Sequence, residues 1–391
     1  MLLLVLNPGS SSLKYQLRRI GTSEAKPGIL LERAVNSPQE GTLDPVFLGN
    51  AFDVVDAAIQ DVTGGTSPDA IGLRVVHGGD RFSSPTRVTP DVIGTIEEFG
   101  EFAPLHNAAS MACMRAAAAR WPRTPQVAVF DTAFHRTIPD HASRYAIPEE
   151  LHTKYGIRRY GFHGISVEIV CRDTAAFLEV PVGSLNAVVA HLGNGASVTA
   201  VREGRSVDTS MGMTPLEGLV MGTRSGDLDP SIITLLQRRA FGPDEVDELL
   251  NHRAGLLGLA GSADMRVIQD AARHGDPRAI LAWDMAAYRL AKYIAAYNMV
   301  VGGAAALALT GGIGEHSSRF RTQVISLLEP LGLFIDEHRN YSGETGIRII
   351  STDASAFPVL VVPSDEERAI AEATAAVVLS DGSADRSLNE A

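Results

Sequence analysis

Arg74 ends an apolar run beside His77-Gly78-Gly79, and Arg224 sits among small residues in the turn MGTRSG. A guanidinium fork binds two oxygens at once and never deprotonates, so both arginines suit a carboxylate or a phosphoryl group. Taken alone, each reads equally as a surface arginine with a packed stem. His163 lies in a Gly-flanked F-H-G turn, where an imidazole can donate to a phosphoryl oxygen. His191 precedes a G-N-G turn whose Asn194 and Gly195 offer further donors to phosphate. Residues 2–15, LLLVLNPGSSSLKY, gather Ser10, Ser11, Ser12 and Lys14 behind the tight turn Asn7-Pro8-Gly9. Such a turn suits a polyphosphate, and it reads equally as an ordinary N-terminal hairpin. No G-x-x-x-x-G-K-[ST] is present, so this is not the loop of the P-loop enzymes.

The elements that must hold these residues are of mixed type. Short apolar runs at 70–76, 126–130, 187–191, 197–201, 306–310 and 359–362 read as strands. Helical patterns cover 107–120, 244–251, 278–299 and 365–379. The class is α/β with some antiparallel hairpins. Residues 2–17 and 188–201 echo one another as strand, Gly-containing turn, strand, which suggests two related halves with their turns facing one cleft. LTGGIGE at 309–315 reads as a third Gly-rich turn, and the residues from Ser380 onward read as a disordered tail. Residues 293–314 carry no charge but are rich in Ala and Gly, so they read as helix end, buried strand and turn rather than a membrane span.

At 391 residues the chain is long enough for two or three domains. A net charge of −12 with no basic cluster argues against a nucleic-acid partner and requires any anionic ligand to be met by locally placed cations. Cys113 and Cys171 are too few for a disulfide framework, which points to a reducing, cytoplasmic setting. The start MLLLVLN lacks a basic segment and a full apolar stretch, so it reads as a strand rather than a signal peptide.

Longer motifs run in order through nearly the whole chain. They are NPGSSSLKY (7–15), RVVHGG (74–79), APLHN (103–107), VFDTAFH (129–135), YGFHGIS (160–166), HLGNGAS (191–197), DTSMGMTPLEGLVMGTRSGDLDP (208–230), LTGGIGE (309–315) and PSDEERAIA (363–371). Together they resemble the acetate kinase family, within the superfamily of sugar kinases, actin and heat-shock chaperone ATPases. The resemblance implies a two-domain, actin-like (ribonuclease H-like) fold with a cleft between domains. The first domain would cover 1–134 plus 365–391, and the second, carrying nucleotide binding and dimerisation, 135–364. Closure over the substrates would exclude water.

The resemblance also implies Mg²⁺-dependent, reversible phosphoryl transfer from ATP to acetate, with Mn²⁺ as a substitute metal, in a homodimer without membrane or nucleic-acid partners. Arg74 and Arg224 would then hold the acid and the transferring group, and His163 would be the main transition-state donor. Asn7 would attend the acid, the transferring phosphate and the metal. Ser10, Ser12, Lys14, His191, Gly193, Asn194 and Gly195 would attend the nucleotide phosphates. Gly312, Ile313 and Gly314, with Asp264, Met265 and Arg266, match the adenosine side, although helix packing accounts equally for the last three. Val76, Leu105, Phe162 and Pro215 match a small apolar acid pocket, and His106 is carried over beside them. Glu366 would be a metal ligand through water; read from the residues alone it is a first-turn acid, with Ser364-x-x-Glu367 as a capping box.

Asp131 separates acceptor classes. A hydroxyl acceptor needs a carboxylate base. A carboxylic acid, with a pKa of roughly 4–5, is already ionised at neutral pH. With acetate as acceptor, Asp131 therefore orients Mg²⁺ or neighbouring groups. Three departures stand out: Pro8 in place of a small residue, which is reminiscent of butyrate kinases, and His316 and Asp365 where the family commonly has Asn. Propionate or butyrate is thus the alternative acid. An actin-like ATPase switch without an acid acceptor is the more distant alternative, and it leaves Arg74, Arg224 and His163 unexplained together.

Overall fold

The computed structural model describes residues 1–9, 12–21, 28–36, 44–98 and 104–389, with backbone alone at 45, 104–106 and 382–389. Its strands are β1 (Leu2–Pro8), β2 (Ser12–Arg19), β3 (Gly28–Asn36), β4 (Ala70–Val75), β5 (Thr86–Arg87) and β6 (Gln126–Phe130), then β7 (Ala187–Leu192), β8 (Ala196–Arg202), β9 (Arg205–Thr209), β10 (Ala306–Thr310), β11 (Arg348–Ile349) and β12 (Val359–Val361). They form two six-stranded sheets, ordered β3-β2-β1-β4-β6-β5 and β11-β12-β10-β7-β8-β9. Read from β9, the second sheet repeats the first strand for strand. In each, an antiparallel meander of three is followed by two parallel strands and a short antiparallel edge. The echo between the two hairpins is therefore a true duplication, as the α/β, ribonuclease H-like expectation requires.

The chain divides into two compact units: 1–134, 164–166 and 365–391 in the first, and 135–163 with 167–364 in the second. In the first unit, period-two alternation sorts the sheet's residues between two cores. Leu2, Leu4 and Leu6 of β1, Ile71, Leu73 and Val75 of β4, and Ala128 and Phe130 of β6 pack against the helices Pro45–Thr63 and Pro104–Arg120. Leu3, Val5, Ala70, Val127 and Val129 pack against Ile370, Ala371 and Ala375 of the helix Glu366–Asn389. That parity positions the functional residues. Asn7 and Arg74 continue the alternation of Val5 and of Ala70, so they lie on the face covered by the closing helix. Lys14 is the direct cross-strand partner of Asn7 and shares this face.

Pro8 has the opposite parity. It is buried and pairs with Leu13, a member of the core on the far face. By parity it lies on the core face rather than on the side of Asn7 and Lys14.

Three further expectations change. The segment 309–315 is not a turn alone: β10 leads directly into the helix Gly311–His316. Gly311 has φ 75°, and a Cβ there would meet the Leu192 backbone at 2.8 Å, so the chain can cross the end of β7 only with glycine. The final helix continues to Asn389, through the stretch read as a tail. Its cap is Asp365, whose Oδ1 accepts from Arg368 N at 3.0 Å, and not Ser364, whose amide instead donates to Glu315. Among the described residues no helix is long and apolar enough to cross a membrane. The uncharged segment 293–314 is the end of the helix Pro277–Val300, then β10, then the start of the helix Gly311–His316.

Candidate functional site

In the first unit, the ends of β1, β4 and β6 and the start of the closing helix gather one charged cluster. Arg74 donates from Nε to Asp131 Oδ2 at 3.0 Å and from a terminal nitrogen to the same oxygen. Asp131 is buried, whereas the Arg74 side chain keeps 20% of its surface exposed. Burial alone would lower the Arg74 pKa. The carboxylates of Asp131 and then Glu366 outweigh it, and the net shift is upward. Asp131 thus holds a neighbouring cation through Oδ2.

Asn7 donates from Nδ2 to Glu367 Oε1 at 3.1 Å. Glu366 stands within electrostatic range of Arg74, Glu367 and Lys14. Burial is the largest influence on its carboxyl and pushes the pKa up. Arg74 and Lys14 pull it down and Glu367 pushes it up, and the result is above the usual carboxylate range. Ser12 is half-buried at the start of β2, where its carbonyl accepts from Gly9 N at 2.8 Å. Val76, one residue past β4, is buried. Ser10 lies outside the described residues. Of Leu105 and His106 only the backbone is described, in the first turn of the helix Pro104–Arg120.

In the second unit, a second cluster forms around the β7–β8 turn. His191 and Ser197 are directly opposed across the two strands. The His163 ring stacks on that of His191, with centroids 4.2 Å apart, and its Nδ1 is 2.9 Å from Ser197 Oγ. Gly195 lies against both His163 and Arg224: a Cβ there would stand 3.5 Å from His163 Nε2 and 3.4 Å from an Arg224 terminal nitrogen. Arg224 donates to the carbonyl of Pro215 at 3.4 Å, so the structure uses the backbone of Pro215 to orient the guanidinium. The glycine beside Arg224 has a packing cause: Gly222 receives the Asn194 side chain where its own Cβ would be, and its amide donates to the Asn194 carbonyl at 2.9 Å. Phe162 is fully buried and Pro215 half-buried.

Next to this cluster is a cavity of about 680 Å³. Gly193, Asn194, Asp264, Met265, Arg266, Gly312, Ile313 and His316 line it, which brings both proposed adenosine segments to one place. The volume lies in the ordinary range for small-molecule sites. The helix reading of 264–266 holds as well. Asp264 caps the helix Met265–Arg273 by accepting from Arg266 N at 2.8 Å, and it pairs with the Arg266 side chain at 2.6 Å. Those hydrogen bonds hold the exposed Asp264 carboxyl down to about 2. Gly314 is not in the lining; it is buried and its carbonyl accepts from Arg321.

Residue types alone missed two participants. Glu367, read only as half of a capping box, is the partner of Asn7. His135, inside a quoted motif but given no role, contacts the turn that carries His163. The clue for Glu367 was parity, since Asn7 must face the start of the closing helix once β1 lies beside β4.

Residues 2–372 match the acetokinase family. The chain belongs to that family. An acetate kinase of Arthrobacter sp. is 54% identical over 382 residues, spanning 97% of this chain and 99% of its own. Among solved structures, the acetate kinase of Porphyromonas gingivalis matches with a TM-score of 0.86 at 37% identity, covering 96% of this chain and 99% of that one. A propionate kinase from Francisella tularensis matches with a TM-score of 0.87 at 38% identity, covering 95% and 98%. This acetokinase-family chain therefore has the fold of carboxyl-acceptor phosphotransferases over nearly its full length.

Proposed function

We propose that this member of the acetokinase family transfers the γ-phosphoryl group of ATP reversibly to acetate, forming acetyl phosphate and ADP. The observation that carries the reading is Arg74 clamped by buried Asp131. That pair presents a fixed cation to an anion, and Asp131 is committed through Oδ2 to that cation.

The acid arrives ionised. Its carboxylate oxygen attacks phosphorus in line, the O–P bond forms as the β–γ bridge bond breaks, and ADP leaves with the electron pair. Little covalent work remains for the protein, so positioning and charge neutralisation dominate. Arg74 and Arg224 hold the acid and the transferring group, and His163 donates to an equatorial oxygen. Asn7, Ser12, Lys14, His191 and the turn 193–195 attend the remaining oxygens. The cavity beside Ile313 takes the adenosine.

Mg²⁺, with Mn²⁺ as substitute, is the fitting metal. Glu366 offers hard oxygen, and the fold penalises its charged form with Glu367 nearby, a situation that a divalent cation relieves. Glu366 and the Asn7 side-chain oxygen would hold the metal; when bound, it supplies neutralisation of phosphate charge. In this reading the chain works as a homodimer, and it does so in the cytoplasm, a reducing setting that the two free, buried thiols Cys113 and Cys171 suit. Sedimentation of the purified protein at twice the chain mass tests the dimer.

Glu366→Gln gives a signed expectation. The Glu366 pKa is raised in the folded state, so its favourable contribution is present below the unfolded carboxylate value and is lost as pH rises through the folded one. Without divalent cations, wild type loses stability over that interval and Glu366→Gln does not. With the Mg²⁺–ADP complex near 100 times its Kd for wild type, wild type gains about 2.7 kcal/mol and the variant gains less. Melting temperatures against pH, with and without Mg²⁺, check both signs.

Propionate is the second reading of the acid, favoured by the propionate kinase among the structural matches. One methylene changes transition-state binding by only about 1–3 kcal/mol. Hydroxamate assays with acetate, propionate and butyrate decide: kcat/KM is expected to fall along that series, and a clear preference for butyrate overturns the acetate assignment.

A further inference from the structure

His135 has no part in the mechanism above. It is 1% exposed, in the short turn Ala133–Thr137. Its Nε2 is 2.9 Å from the carbonyl oxygen of Phe162, and its Nδ1 is 2.9 Å from Ser206 Oγ. A carbonyl only accepts, so Nε2 carries the proton and Nδ1 accepts from the Ser206 hydroxyl. Burial pushes the ring down to about 4, which keeps it neutral and this tautomer in place near neutral pH.

The carbonyl so held belongs to the Phe162–His163 peptide. His163 has φ 61° and ψ 20°, the left-handed region, a conformation that strains a non-glycine residue. The same imidazole supports the turn from beneath. Gly161 has φ 74°, and a Cβ there would come within 2.9 Å of His135 Cδ2 and 3.0 Å of Cγ. The turn Tyr160-Gly161-Phe162-His163 is thus shaped on His135 at two points: a ring edge where Gly161 has no side chain, and a donated hydrogen bond one residue later. Beyond it, the His163 ring reaches Ser197 and stacks on His191. Ser206 is itself tied to the His135 turn, since Thr137 Oγ1 donates to the Ser206 carbonyl at 2.7 Å.

We infer that His135 is a positioning residue for phosphoryl transfer: by holding the Phe162 carbonyl it fixes the strained backbone of His163 and so the aim of the His163 imidazole. This rests on the reading of His163 as the donor to the transferring group.

His135→Leu and His135→Gln test it together. Leucine fills similar space but cannot donate to Phe162 or accept from Ser206. Glutamine can do both, from its amide nitrogen and oxygen. A misaimed catalytic group costs up to about 10²-fold in rate. The expected result is a fall of that order in kcat for His135→Leu, with KM for acetate and ATP changed less than about twofold, and recovery of most of kcat in His135→Gln. The His163 ring resonances should shift in His135→Leu and return toward wild type in His135→Gln. Equal losses in both folded variants overturn the inference, as does a kcat within about twofold of wild type in His135→Leu. Should the leucine variant not fold, His135→Asn, whose shorter amide cannot span both partners, replaces it with the same outcomes. His163→Ala separates the two claims. If it keeps full kcat, the donor reading of His163 fails and this inference with it; if it loses activity while His135→Leu keeps it, the inference alone fails.

Discussion

Arg74→Ala is expected to lower kcat/KM for acetate by about 10³-fold and to destabilise the protein by about 3–5 kcal/mol. Both effects have one origin. The guanidinium makes two hydrogen bonds to Asp131, and Asp131 is 1% exposed. Removing the arginine takes a positioned cation from the reaction and also leaves a buried carboxylate without that partner. The two losses can be separated. Arg74→Met combined with Asp131→Leu removes both charges and keeps apolar bulk, so stability should return while activity does not. Arg74→Lys keeps a charge but not the planar fork, and it should lie between the two in stability while remaining far below wild type in rate. Asp131→Asn should lower activity without removing a base-type limb from the pH–rate profile, because the acid needs no deprotonation. Urea unfolding beside acid-dependent ADP formation reads these outcomes. A stable but inactive Arg74→Ala, or an active double variant, would contradict the coupling of clamp and catalysis.

Arg224→Ala is expected to cost a similar 10²–10³-fold in kcat with a stability change below about 1 kcal/mol. The contrast follows from how the loop is held. Its fold rests on backbone bonds: Met221 N to Arg224 O, Ala254 N to Thr223 O and Ser225 N to Leu250 O. The side chain donates to the Pro215 carbonyl at 3.4 Å and lies 4.0 Å from Met221 Sδ. Truncation removes a cation from beside Gly195 and His163 while these backbone bonds remain. Added guanidinium ion should restore part of the rate in Arg224→Ala and none in Arg74→Lys, where the lysine fills the space. Single-turnover rates with and without guanidinium measure it. A large rise in KM with kcat unchanged would mean that Arg224 binds ground state and transition state alike.

Much of this was legible in the residues, and the limits are physical. The echo between the two hairpins reported the duplication because strand–turn–strand spacing survives in both sheets. Asp264, Met265, Gly312 and Ile313 line one cavity as their motifs implied. The pairings were not legible, because Arg74–Asp131 and Asn7–Glu367 depend on β1, β4 and β6 lying side by side, and local patterns do not report strand order. The face that Pro8 occupies was not legible for a related reason. The identity of Pro8 suggested a different acid, and its parity in β1 places it on the core face. Asp365 rather than Ser364 caps the closing helix, a shift of one residue that a capping pattern does not resolve. His135 went unassigned because its importance lies in the backbone it holds, not in its own chemistry.

The most direct test of the central claim is ADP formation measured with and without acetate, with hydroxylamine present to trap acyl phosphate. Acetate-dependent ADP release, matched mole for mole by acetohydroxamate and abolished in Arg74→Ala, is the expected result. ATP turnover that proceeds unchanged without acetate, with no hydroxamate formed, would contradict it and leave a nucleotide-driven switch in its place.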